Sequence, residues 1–154
     1  MGDVLITGPA VRAVAAAHDR VVFLAGPRGS EAARMLPGVE RVVEWSAAWV
    51  DFDAPPLTAD AVAALIEIIA AEKPGTVLIF TSFHQSPLPL ALICRMAGVS
   101  WIGAICEDYP GRLLDLRHHV DDQIAEPLRA LSLAEAAGCR LPSGDDGRLR
   151  VNRP

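Results

Sequence analysis

The chain has 154 residues, 51% hydrophobic and 21% charged, with a formal net charge of -5 at pH 7. This is enough for one hydrophobic core and hardly for two, it excludes a disordered chain, and its acidity argues against a non-specific nucleic-acid surface. The three cysteines, Cys94, Cys106 and Cys139, are widely spaced with no CxxC, so they form neither a metal knuckle nor a disulfide framework, and a reducing compartment fits better.

At the amino end, GDVLITGPAVRAVAAA admits two readings. In one, Val4–Thr7 is a strand, Gly8 turns, and Pro9 opens a helix to Ala17. In the other, helix begins near Asp3, whose carboxylate caps it, and Gly8-Pro9 falls inside. Local signals favour the first. No basic-then-apolar leader is expected. Arg20–Ala25 is a strand; Gly26-Pro27-Arg28-Gly29-Ser30 is a loop; Ser30 caps a short helix over Glu31–Leu36; and Glu40–Glu44 is a short strand, charged at both ends. Trp45–Pro56 has no clear period and reads as an ordered loop that could cover a pocket. Thr58 caps a helix whose apolar face is Val62, Leu65, Ile66 and Ile69, ended by Glu72-Lys73-Pro74-Gly75.

Thr76–Phe80 is then a strand, Leu88 to about Ala97 a helix stopped by Gly98, and Ser100–Ile105 a second strand. Neither strand alternates cleanly, so both should be covered on two faces, as in a parallel sheet. Leu88–Cys106 carries one formal charge, Arg95, but its glycines and β-rich second half favour helix, turn and strand over a membrane span. Leu113–Leu116 is short and apolar, and 117–122 is strongly polar. Asp121 or Asp122 caps a last helix, roughly Gln123–Ala137, interrupted early by Pro127 and closed by Gly138. Residues 1–140 thus read as one three-layer, Rossmann-like α/β domain around a mainly parallel sheet, with 141–154 a tail or the start of a linker.

Polar residues gather where strands of such a sheet end, which is where ligands sit. Thr81, Ser82, His84 and Gln85 follow the Thr76–Phe80 strand and suit a polyhydroxylated ligand, with His84 also able to act as a base. Glu107, Asp108 and Tyr109 follow the next strand and face the same cleft if the strands are neighbours. Gly26–Gly29 offers backbone N–H groups and Arg28 to an anion, but is neither GxGxxG nor a P-loop. His118-His119 with Asp121-Asp122 lacks a third metal ligand of convincing spacing. There is no GxSxG elbow, and the cysteines read as buried small hydrophobes.

Gly2-Asp3-Val4-Leu5-Ile6-Thr7-Gly8-Pro9-Ala10 resembles the GDV-L-T-PA signature of heptosyltransferase-like enzymes, glycosyltransferase family 9. The run Thr81-Ser82-Phe83-His84-Gln85-Ser86-Pro87-Leu88-Pro89-Leu90 resembles actinobacterial members, as do Glu107-Asp108-Tyr109-Pro110-Gly111 and Leu114-Asp115-Leu116-Arg117-His118. The resemblance covers essentially the whole chain but only the amino-terminal half of such an enzyme. It implies one half of a GT-B architecture, the acceptor-binding side, without the first strand and without the donor domain. It further implies an inverting transfer of a heptose-like sugar from a nucleotide-sugar, typically ADP-heptose, to a glycan or glycolipid, with no essential metal or cofactor.

Asp3, as the aspartate of the GD motif, would deprotonate the acceptor hydroxyl. Arg28, Thr81, Ser82, His84, Gln85, Glu107, Asp108 and Tyr109 would contact the acceptor. The chain should have little or no transferase activity alone. The place of the missing first strand should be filled either by Val4–Thr7 becoming a strand or by dimerisation. A homodimer copy or a separate donor domain is the partner the resemblance implies, and the chain should be cytoplasmic or peripheral to the inner membrane face. The competing expectations are a non-catalytic Rossmann-like interaction or oligomerisation module and, disfavoured by the missing glycine fingerprint, a nucleotide-binding enzyme of another class.

Overall fold

The computed structural model describes residues 2–82 and 84–152. The chain is mixed α/β with parallel strands, Val22–Ala25 to Arg41–Glu44 and Thr76–Ile79 to Trp101–Ile105 each joined by a helix, as expected for a Rossmann-like class, and it divides into two compact units. One comprises residues 2–46 and 120–152, the other 47–119.

The first unit opens with two helices, α1 (Gly2–Ile6) and α2 (Gly8–Ala17). The stretch expected as a strand over Val4–Thr7 is helical over Val4–Ile6, as in the second reading, but Thr7 parts it into two helices, so that Asp3 lies inside α1 rather than capping it and Gly8-Pro9 opens α2 rather than falling inside one helix. Part of the reason is local: Thr7 turns its backbone N–H and its hydroxyl onto the Val4 carbonyl, at 3.2 and 2.6 Å. That closes α1 without extending it. Gly8 and Pro9 then occupy the first turn of α2, where a missing N–H costs nothing.

Strand β1 (Val22–Ala25) follows, then α3 (Pro27–Arg34) and β2 (Arg41–Glu44). β1 and β2 pair in parallel, Val22 against Arg41 through Ala25 against Glu44. Helix α3 starts earlier than expected because Pro27 suits a first helical turn and Gly26 takes the extended cap position. Ser30 is thus not a cap. It lies buried inside the helix, its hydroxyl donating to the Pro27 carbonyl at 3.2 Å.

Helices α1 and α3 pack against each other at Val4 and Gly29, where a Cβ on Gly29 would lie 2.7 Å from Val4 Cγ2. Gly29→Ala should therefore push α1 off α3, costing on the order of 1–3 kcal/mol. Amide exchange should quicken across 3–7, and Val4→Ala in the same chain should restore protection; unchanged exchange in the single variant would show that α1 does not depend on this contact.

The last regular element of this unit, α6 (Glu126–Ala136), packs on α2. The alanines of α2, with Ala10 and Ala13 fully buried, and Leu133 and Ala134 of α6 contribute to the unit's core. Pro127 does not interrupt α6 but sits in its first turn, so the helix starts at Glu126 rather than Gln123. Asp121 instead makes a turn ahead of it, accepting the Gln123 N–H at 2.9 Å. Gly138, at φ 87°, closes α6 as expected: its N–H and that of Cys139 return to the Glu135 and Ala134 carbonyls.

In the second unit, the loop from 47 is ordered by turns on Ala47 and Asp51, with the Phe52 side chain wholly exposed. Thr58 caps α4 (Ala59–Glu72) as expected, accepting the Ala61 N–H at 3.1 Å. Strand β3 (Thr76–Ile79), helix α5 (Leu88–Met96) and strand β4 (Trp101–Ile105) form the expected strand-helix-strand unit. A third strand, β5 (Leu116–His118), completes a parallel sheet of order β3-β4-β5. It was not expected, because three residues with a polar centre and end carry no strand period.

Strand β4 is the middle of this sheet and is buried from Ile102 to Ile105. That explains its unbroken apolar run. Asp115 ties β5 to it, accepting the Ile102 N–H at 2.7 Å while pairing with Arg95 of α5. Among the described residues no helix is long and apolar enough to cross a membrane.

Candidate functional site

Parallel strands bring their carboxyl ends to one edge of a sheet. In the second unit that edge carries the segments leaving β3, β4 and β5. Val77 lies against Ile102 and Ile79 against Ala104, so the turns after β3 and β4 are neighbours. Thr81, Ser82, His84 and Gln85 therefore share an edge with Glu107, Asp108 and Tyr109, as the condition on adjacent strands required. Phe83, of the same motif, lies outside the described residues.

The turn after β3 is closed twice between the same two residues. The Gln85 N–H donates to the Ser82 carbonyl at 3.1 Å, and the Ser82 N–H donates to Gln85 Oε1 at 3.0 Å. Gln85, expected among the ligand contacts, thus uses its amide oxygen to shape the turn. The turn leaves His84 exposed and in the left-handed region, φ 67°. Histidine visits that region more readily than most residues, but it is still uncommon backbone and occurs often at binding sites. Ser86 then accepts the Leu88 N–H at 3.3 Å, and the buried Pro87 precedes α5.

The turn after β4 is tied by its backbone. Cys106 extends the ladder, its N–H donating to the His118 carbonyl at 3.3 Å. Arg117 of β5 donates through Nε to the Cys106 carbonyl at 3.0 Å and through Nη2 to the Glu107 carbonyl. Glu107, Asp108 and Tyr109 are left exposed, Tyr109 at 85%. His118, at the end of β5, is half-buried; burial and then its neighbour His119 lower its pKa, so its ring is neutral at pH 7.

Burial raises the thiol pKa of all three cysteines, Cys94 to about 11, so at neutral pH they are protonated, buried groups as expected. No three or more His, Cys, Asp or Glu side chains among the described residues are gathered so as to hold a metal.

Asp3 and Arg28 belong to the first unit. Asp3 is exposed in the first turn of α1 and Arg28 exposed in the first turn of α3, on the two helices that meet at Val4 and Gly29.

The same unit holds a group that the sequence reading missed. Arg12, 7% exposed, donates through Nε and Nη2 to the two Asp145 carboxylate oxygens at 2.7 and 2.9 Å, and through Nη2 to the Arg148 carbonyl at 2.9 Å. Residues 141–152 are therefore fastened to α2, and Asn152 adds a backbone bond to Met35. The signal was present: Arg12 is the one charge in the run GPAVRAVAAA, and a cation on such a helix needs a buried partner. Nothing nearby in sequence pointed to Asp145, 133 residues away. Arg117 was missed as well, hidden in a stretch legible only as polar.

No family model, curated protein or solved structure matches the chain.

Proposed function

We propose that the chain is the acceptor-binding half of an inverting glycosyltransferase of the heptosyltransferase-like family, and that it receives a glycan or glycolipid at the carboxyl edge of the β3-β4-β5 sheet. The observation that carries this is the meeting of two unlike turns at one edge. One supplies hydroxyls and an imidazole, the other two carboxylates and an exposed aromatic ring. Sugars ask for that combination: hydrogen-bond partners of both kinds for the hydroxyls, and a flat apolar face for the ring carbons.

Separately, by resemblance to that family, Asp3 of the first unit is proposed as the base that takes the proton of an acceptor hydroxyl and Arg28 as a cation for an anionic group; the sugar site at the sheet edge does not depend on either. The nucleotide-sugar binds on a separate donor domain, which also steadies the departing diphosphate.

Sugar binding is testable with the chain alone. The ¹⁵N-labelled protein titrated with methyl α-mannopyranoside should show saturable amide shifts at 81–85 and 107–109, with weak affinity on the order of 1–10 mM. Shifts at neither turn, with this glycoside or methyl α-glucopyranoside, would remove the sugar site from this edge.

A further inference from the structure

Three successive carbonyls of the turn after β4 are bound by side chains. Arg117 takes those of Cys106 and Glu107, and the Cys106 thiol donates to that of Asp108 at 3.3 Å. A solvated turn does not require this, because water satisfies exposed carbonyls at little cost. Holding an arginine side chain across from the next strand costs rotamer freedom.

The result is a turn whose backbone is tied inward and whose side chains are turned out. Glu107, Asp108 and Tyr109 are all exposed, and the arginine that fixes them comes from a different strand. That is the form of a pre-organised recognition element, in which supporting hydrogen bonds hold the contact residues before the ligand arrives.

We propose that Arg117 is a positioning residue: it fixes the Glu107–Tyr109 turn in the geometry that meets a sugar ring, with the carboxylates as hydrogen-bond acceptors and Tyr109 as the stacking face. This role rests on the sugar-binding function above. Arg117 does not touch the sugar; it acts through the turn. A guanidinium is needed because two nitrogens in a fixed planar fork reach two carbonyls at once, whereas the three N–H groups of a lysine ammonium all radiate from one nitrogen.

The test uses the full ¹⁵N-labelled chain as wild type, Arg117→Ala and Arg117→Lys, with two readouts. Without ligand, amide order parameters at 107–109 should fall in Arg117→Ala from rigid values near 0.85 to below about 0.6, with α4 and α5 unchanged. Titrated with methyl α-mannopyranoside, Arg117→Ala should bind at least about fivefold more weakly, and Arg117→Lys should fall between it and wild type.

A turn that stays rigid in Arg117→Ala overturns the clamp. A mobile turn with unchanged affinity overturns its part in recognition. If wild type itself shows no response at either turn, the sugar site fails and this role fails with it, while the order parameters still report on the clamp alone.

Discussion

Arg12→Ala should lower the thermal midpoint by on the order of 10 °C. The guanidinium and the Asp145 carboxylate are both enclosed, with side-chain exposures of 8% and 4%. Removing the arginine leaves an enclosed carboxylate with the Gly147 N–H at 2.9 Å and Arg150 at 3.8 Å. The cost of such a change is mostly the stranded partner, not the lost attraction. Arg12→Lys should recover little, because the donors of an ammonium all sit on one nitrogen and cannot match the planar fork that meets both Asp145 oxygens and the Arg148 carbonyl. Arg12→Met with Asp145→Leu should recover much of the loss, since two apolar groups strand nothing.

The same pair sets an acid limit. The hydrogen bonds from Arg12, and then from the Gly147 N–H, hold the Asp145 carboxyl well below the usual carboxylate range. Its folded pKa is depressed, so its contribution is present above the unfolded value of about 3.9 and is lost as pH falls below it. Stability should therefore fall between about pH 4 and pH 2, with a shallower slope in Asp145→Asn. A melt of Arg12→Ala within about 2 °C of wild type would show that the 141–152 segment is not fastened by this pair.

Given the role of base proposed for Asp3, Asp3→Ala should reduce sugar transfer at least about a hundredfold when the chain is assayed with a separately produced donor domain, the usual scale for removing a general base. Asp3→Asn should do the same, because it keeps size and hydrogen bonding but cannot take a proton. Since Asp3 is an exposed residue of a five-residue helix, neither substitution should move the melt much. Transfer unchanged by Asp3→Ala would take this residue out of the chemistry.

The elements that could be read in advance are those set by local chemistry. β1, β3, β4, α4 and α5 follow from apolar runs, from the Thr58 cap and from stops at Gly98 and Lys73-Pro74. The neighbouring turns at the sheet edge followed from two strands joined by one crossover helix. The failures have a common cause in contacts remote along the chain. Val4–Thr7 is β-branched enough to suggest a strand, but Val4 packs on Gly29 of α3 as part of a helix. β5 exists because the Asp115 carboxylate and the ladder hold it to β4. Residues 141–152 looked like a linker because Asp145 reads as loop chemistry until Arg12 is set beside it.

Proline misleads in one direction. Pro27 and Pro127 look like breaks in the sequence, whereas each lies in a first helical turn. At the site, residue types announced a polar rim, but not that Gln85 is partly spent on shaping its own turn or that Arg117 ties the next one.

The most direct test of the proposed acceptor-side role is nucleoside-diphosphate release from a nucleotide-sugar when this chain is mixed with a heptosyltransferase-like donor domain, in the presence of a glycan acceptor. Release that requires both proteins and the acceptor, and that is absent with either protein alone, is the predicted result. No release above that of the donor domain by itself, across glycan and glycolipid acceptors, would contradict it.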